Sequence, residues 1–249
     1  MIIMLINHHL KGIVKMNIKT ILFDLDGTLL PMDQDLFVKT YLGNFAKKLA
    51  PLGYDPEAFY KAMWAGVGAM VKNNGSVRND EAFWNTFCGL LGEHVRNDEP
   101  VFDDFYHNEF QKAKEVCGFN PDSAKVVHAL KAAGYRVVLA TNPLFPAIAT
   151  ESRIRWAGLE PEDFEYYTVY NNSCHCKPNP AYYQDITKKL DLNPEECLMV
   201  GNDVDEDMIA ETLGMKVFLL TDSLINKHNK DIHQYPHGDF KELLKYLGL

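Results

Sequence analysis

The stretch Ile21-Leu22-Phe23-Asp24-Leu25-Asp26-Gly27-Thr28 carries two carboxylates at the end of an apolar run. The three apolar residues predict a buried strand. Strand side chains alternate between faces, so Asp24 and Asp26 point the same way. Gly27 then lets the chain leave the strand sharply, because it has no Cβ. Two carboxylates this close repel each other unless a cation or a shared proton compensates them. A purely structural pair would more naturally join a carboxylate to a base. The stretch reads as a chemical site at a strand end.

From Ala124 onward the sequence alternates helix and strand. Pro121-Asp122 opens a helical pattern through Val126, Val127, Leu130 and Ala133, which Gly134 ends. Arg136 to Ala140 reads as a β-branched strand running into Thr141-Asn142. A helix through Ile148 and Trp156 follows, then a short strand near Tyr167–Val169. Pro180–Leu190 reads as a helix, Cys197–Val200 as a buried strand, Asp205–Leu213 as a helix and Lys216–Leu220 as a strand. This alternation predicts an α/β fold, a Rossmann-like parallel sheet with helices on both faces. Ligands of such sheets gather at the carboxyl ends of the strands, where the polar motifs fall.

Between the first strand and Pro121 the pattern is helical throughout. Leu36, Phe37, Tyr41, Phe45 and Leu49 form one apolar stripe, and Phe59, Met63, Val67 and Met70 another. Phe83, Phe87, Leu90 and Leu91 form a third, with Asn79 or Asp80 as its expected cap. Phe102, Phe105, Tyr106 and Phe110 complete the series. The stripes predict an all-helical cap domain over residues 35–117, inserted into a core of residues 16–34 and 118–249. An insertion at the strand end is placed to cover a pocket there.

Composition narrows the function classes. Of the 249 residues, 47% are hydrophobic and 24% charged, which is globular rather than disordered. The net charge of -9, with no Lys/Arg block, argues against a nucleic-acid partner. No apolar stretch approaches a membrane span. Residues 1–15 read as a loose extension or a mis-assigned start, because Met16 lies just ahead of the first strand and no cleavage site follows. Five cysteines at irregular spacings suggest reduced thiols and a cytoplasmic location. Cys174-His175-Cys176 is too tight, and too isolated, for a common structural zinc site.

Four polar stations stand in order: Asp24-Leu25-Asp26-Gly27-Thr28; Thr141-Asn142; Lys177-Pro178-Asn179-Pro180; and Gly201-Asn202-Asp203-Val204-Asp205-Glu206-Asp207. Alone, each has an ordinary explanation: a strand-end turn, a surface lysine before a helix, an acidic helix start. Together, and in this order, they resemble the haloacid dehalogenase superfamily of phosphohydrolases over residues 18–34 and 120–222. One position departs from that family's common pattern. Asn202 stands where an aspartate often follows the glycine, and Asp203 comes next.

The resemblance implies roles. Asp24 would be the nucleophile, already ionised at neutral pH. Asp26 would be the general acid and base, and should be protonated when substrate binds. Mg²⁺ would be held by Asp24, Asp203 and the main-chain carbonyl of Asp26. Thr141, Asn142, Gly27 and Lys177 would hold the phosphoryl group, with Thr28 and Asp207 in support. The substrate implied is a small phosphorylated metabolite. Asp26 points away from dehalogenase chemistry, whose leaving halide needs no proton. A phosphosugar mutase keeps both aspartates and is the alternative enzyme; a non-catalytic phosphate-binding regulator is the alternative from another class. Specificity should come from the cap, where Trp64, Arg78, Trp84, His94, Arg96 and His107 are candidates, with Lys39, Tyr41 and Phe145 close to the motifs.

Overall fold

Strand β1 (Thr20–Phe23) is buried along its whole length at the centre of a six-stranded sheet. A computed structural model describes residues 17–249, so the expected extension at residues 1–15 lies outside the described residues. β1 pairs on one side with β2 (Arg136–Leu139), which pairs with β3 (Tyr166–Tyr167). On its other side lie β4 (Cys197–Gly201), β5 (Lys216–Leu220) and β6 (His237–Gly238). The order is β3-β2-β1-β4-β5-β6 and every pairing is parallel. The chain runs outward from β1 in one direction and then crosses to the other side. β1 is therefore the switch point, where a crevice opens at the strand ends.

Alternation of side chains separates two cores. Ile21, Phe23, Val137, Leu139, Leu198 and Val200 face one layer, packed by α5 (Pro121–Ala132), α6 (Ala147–Trp156) and α8 (Phe240–Leu247). Leu22, Val138, Met199 and Leu219 face the other, packed by α7 (Pro180–Lys189) and a 3-10 helix at Met208–Leu213. Each fully buried large apolar side chain contributes about 1.5–3 kcal/mol, which makes the register of β1 stringent.

After β1 the chain enters a helical cap: α1 (Gln34–Leu49), α2 (Pro56–Val71), α3 (Asn79–Leu91) and α4 (Glu99–His107), with 3-10 segments between and after them. Asp33 and Asp55 cap α1 and α2 by accepting the N–H groups of Leu36 and Ala58. Phe45 stacks on Phe105 with ring centroids 3.9 Å apart and meets Phe59 and Phe102 edge-on. Gly66 lets α2 approach α3, since a Cβ there would meet the Phe83 ring at 2.5 Å.

Several elements differ from expectation. α3 begins without a side-chain cap. Its first N–H groups, of Asn79 and Asp80, donate instead to the carbonyls of Ser173 and Tyr170 in the core. The helix expected over Asp205–Leu213 is a turn followed by the 3-10 segment, because Asp203 Oδ1 takes the N–H groups of Asp205 and Glu206. β3 stops at Tyr167, where the Asn172 side chain takes over the pairing of Tyr167 O and Val169 N–H. β6 and α8 extend the series beyond Leu220.

Candidate active site

β1 delivers the first aspartate into the crevice. The Asp24 N–H donates to Val200 O at 2.9 Å, which continues the pairing with β4 one residue past the strand. Gly27 turns the chain with φ 88°, and a Cβ there would collide with the Asn202 amide. The Gly27 N–H donates to Leu30 O, so this residue supplies room rather than a free donor. Thr28 Oγ1 donates to Asn202 Oδ1 at 2.9 Å, and Asn202 Nδ2 to Ser223 O at 2.7 Å. Asn202, the departure from the common pattern, ties the first station to the fourth.

Lys177 lies beneath, 1% exposed, with Nζ 2.9 Å from Asp24 Oδ1 and 2.6 Å from Asp207 Oδ1. Burial works to lower its pKa, but the carboxylates of Asp207 and Asp24 hold it well above the ordinary lysine value. It is a fixed cation. Asn179 caps α7 just beyond it, accepting the Ala181 N–H. Asp207 is fixed in turn, since its Oδ2 accepts the Asp203 N–H at 3.0 Å and its own N–H donates to Asp203 O. Asp205 faces away, paired with Lys230 and His228.

Asp26 shares the crevice. Burial pushes its carboxyl above the ordinary value, Arg153 opposes that shift, and Asp24 adds to it. Its Oδ2 is ion-paired to Arg153 Nη1, while its Oδ1 is buried without a partner among the described residues. Arg153 was not foreseen. It is fully buried on α6, donates to Ala149 O and Thr150 Oγ1, and lies 4.3 Å from the Phe145 ring centroid. Nothing in its spacing separates it from the exposed Arg155 on the same helix.

Thr141 lies two residues past the end of β2 and is 1% exposed; its carbonyl accepts from Thr168 Oγ1 and Tyr182 OH, which fixes the main chain there. Asn142 Nδ2 donates to Glu206 Oε2 at 3.0 Å, and its Oδ1 is buried with no partner among the described residues. Burial pushes the Glu206 carboxyl up to about 7. Asp24, Asp26, Thr141, Asn142, Asp203 and Asp207 line one polar cavity of about 300 Å³ together with Gln34, Asn202 and Glu206.

The donor set facing this cavity is all oxygen, which suits a hard divalent cation. Among the described residues no three acidic, His or Cys side chains converge on one point. Asp24 and Asp203, with the Asp26 carbonyl, would therefore supply only part of a coordination shell. That fits an ion that keeps water and shares substrate oxygens. Asp26 and Asn142, which both line this cavity, each keep one buried side-chain oxygen without a hydrogen-bond partner among the described residues.

A family model for haloacid dehalogenase-like hydrolases matches residues 18–210. The chain belongs to that family. This haloacid dehalogenase-like hydrolase is 26% identical over 221 residues to a phosphoglycolate phosphatase of Colwellia psychrerythraea, covering 87% of this chain and 89% of that one. It is 24% identical over 202 residues to the pyrophosphatase PpaX of Bacillus cereus, covering 81% and 82%. A 2-haloacid dehalogenase structure from Pseudomonas syringae pv. Tomato superposes with a TM-score of 0.63 at 17% identity, covering 93% and 98%, which shows the shared fold. No helix among the described residues of the hydrolase is long and apolar enough to cross a membrane.

Proposed function

We propose that the chain is a Mg²⁺-dependent phosphatase that hydrolyses a small phosphorylated metabolite through an aspartyl-phosphate on Asp24. The observation that carries this reading is the carboxylate pair. Asp24 is anchored at Oδ1 by a buried lysine, and Asp26, two residues on, lines the same cavity. The phosphatase names of the two relatives agree with it.

Lys177 fixes one Asp24 oxygen and leaves Oδ2 free to attack phosphorus. The obstacle is repulsion between carboxylate and phosphate, ~4 kcal/mol for unit charges ~4 Å apart at an effective dielectric of 20. Lys177 offsets part of it, and Thr141 and nearby N–H groups would hydrogen-bond the phosphoryl oxygens. Asp26 donates its proton to the leaving oxygen as the phosphorus–oxygen bond breaks. It then takes a proton from the water that attacks the aspartyl-phosphate, releasing phosphate and restoring Asp24. Burial, which raises its pKa, favours the protonated form needed at the start. Asp24, Asp203 and the Asp26 carbonyl would hold Mg²⁺, which supplies positive charge against the phosphoryl oxygens. Residues 35–117 act as the cap over a core of 16–34 and 118–249, in the cytoplasm.

The test is phosphate release from a generic aryl phosphate, with and without Mg²⁺, for the native protein and Asp24→Asn. Metal-dependent release lost by at least ~10³-fold in the variant is expected for a nucleophile. Equal release by both proteins would remove the aspartyl-phosphate mechanism.

A further inference from the structure

Arg153 is fully buried, yet it belongs to none of the four polar stations. Each of its three side-chain nitrogens is engaged. Nη1 donates to Asp26 Oδ2, Nε to Ala149 O at 3.2 Å and Nη2 to Thr150 Oγ1 at 3.4 Å. Asp26 is the only carboxylate it pairs with among the described residues. The restraint also runs the other way. Among the described residues Arg153 is the only hydrogen-bonding partner of the Asp26 carboxyl, since Oδ1 has none. The carboxyl that moves a proton in the proposed reaction is thus held by a single side chain, reaching it from α6.

That side chain is itself clamped at the seam between core and cap. Its guanidinium lies over the Phe145 ring, 4.3 Å from the centroid. Phe145 in turn meets Tyr41 of α1 at 5.4 Å and Phe110 of the cap's last 3-10 segment at 6.3 Å. On the same helix as Arg153, Trp156 stacks on Phe110, and Ser152 Oγ accepts from Gln111 Nε2 at 2.8 Å. A planar guanidinium combines stacking on a ring with a rigid fork of donors, which a flexible ammonium does not reproduce. Any acid on the turn after β1 would serve to tie α6 to it. The acid engaged here is the one that shares the crevice with the nucleophile.

We propose that Arg153 is a positioning residue, which fixes the Asp26 carboxyl where it meets the leaving oxygen of the substrate. The proposal rests on the phosphatase reading, in which Asp26 is the acid and base. With Oδ2 accepting from Arg153, the transferable proton is carried on Oδ1. As the phosphorus–oxygen bond breaks, this proton passes to the leaving oxygen, and Asp26 remains as a carboxylate paired with Arg153. Arg153 itself touches neither substrate nor reacting atoms. A general acid contributes ~10²–10⁴-fold, and a misplacement of ~1 Å costs ~10²-fold. Loosening Asp26 therefore forfeits part of what deleting its acid function forfeits.

The test is dependence on the leaving group, read as the ratio of kcat/KM for phenyl phosphate to that for 2,4-dinitrophenyl phosphate, with Mg²⁺ present. Phenoxide is basic and needs a proton to depart, whereas dinitrophenoxide leaves without one. Asp26→Asn should lower the ratio by ~10²-fold or more. Arg153→Met should lower it in the same sense by ~10–100-fold, and should add nothing in the Asp26→Asn background. Both esters are measured on one preparation, so the ratio is independent of how much of a variant folds. Arg153→Lys keeps the charge without the planar fork, and should lower the ratio by a smaller factor. It also carries the test if Arg153→Met does not fold. A native ratio in Arg153→Met, or in Arg153→Lys where the former does not fold, would make the arginine merely structural and overturn the proposal, with the acid role of Asp26 left standing. A native ratio in Asp26→Asn would instead remove the acid role itself, and the positioning role with it.

Discussion

The strand ends of the core and the interior of the cap both bury the side chains that hold them together, yet opposite forces organise them. At the strand ends, Lys177, Asp24 and Asp207 form a buried charge cluster in which each group is fixed by another. In the cap, Phe45, Phe59, Phe102 and Phe105 pack ring against ring. Buried charges tolerate little displacement, because an unpaired one is costly. Aromatic packing tolerates exchange of shape at moderate cost. A catalytic site that must keep its geometry is thus built of the first kind of contact, and a surface that can vary between substrates of the second.

The sharpest way to break this contrast is Lys177→Met. Removing the cation leaves Asp24 and Asp207 buried without it, and loss of one partner of a buried pair costs about 3–5 kcal/mol. Turnover should vanish with it, so urea unfolding and phosphate release should fall together. A stable but inactive variant would show that water or main chain, rather than the lysine, carries the two carboxylates. Phe45→Ala applies a similar deletion to the cap. A loss of about 3–4 kcal/mol is expected, at the lower end if neighbouring rings close in. The crevice should remain intact, so phosphate trapping at Asp24 should survive where Lys177→Met abolishes it.

The same contrast explains what could be read from the sequence. The four stations were legible because each lies where an apolar run stops or a helix starts, as at Phe23-Asp24 and Val200-Gly201. Strands such as Lys216–Leu220 announce themselves by an unbroken apolar run, Val217 to Leu220, all of which is buried. β6 was not legible, since two residues, His237 and Gly238, carry no period. Arg153 was hidden because a buried and an exposed arginine look alike on a helix of weak amphipathic pattern. In the cap, Trp64 is 56% exposed, whereas Trp84 is buried edge-on to the Phe87 ring. Both occupy helical positions among apolar neighbours, and only packing tells them apart.

A third prediction uses pH to sharpen the core side of the comparison. Burial raises the Glu206 carboxyl from its ordinary value of 4.5 to about 7. The folded state therefore favours its protonated form more than the unfolded state does. Its contribution is fully present below pH 4.5 and declines as pH rises toward 7, by up to ~3 kcal/mol. Thermal unfolding of the metal-free protein between pH 4.5 and 7.5 should show that decline, and Glu206→Gln should reduce it. Saturating Mg²⁺ should also reduce it, because a cation among these carboxylates favours their ionised forms. An unchanged slope in Glu206→Gln would assign the titration to another carboxyl.

The smallest expected effect isolates burial from charge. Lys19 precedes β1 and pairs with Glu196 at 2.7 Å, while Lys177 pairs with Asp24 at the opposite end of the same strand at 2.9 Å. The chemistry of the two pairs is alike, but the Lys19 side chain is 61% exposed and the Lys177 side chain 1%. Water solvates Lys19 whether or not Glu196 is present, and both long side chains lose freedom by pairing. Lys19→Met should therefore change stability by less than ~1 kcal/mol, and Tm by less than about 3 °C, with turnover unaltered. Raising the ionic strength should shrink even that difference, because an exposed pair is screened. A large effect at Lys19 would mean that ion pairing as such, rather than its burial, holds β1 in place.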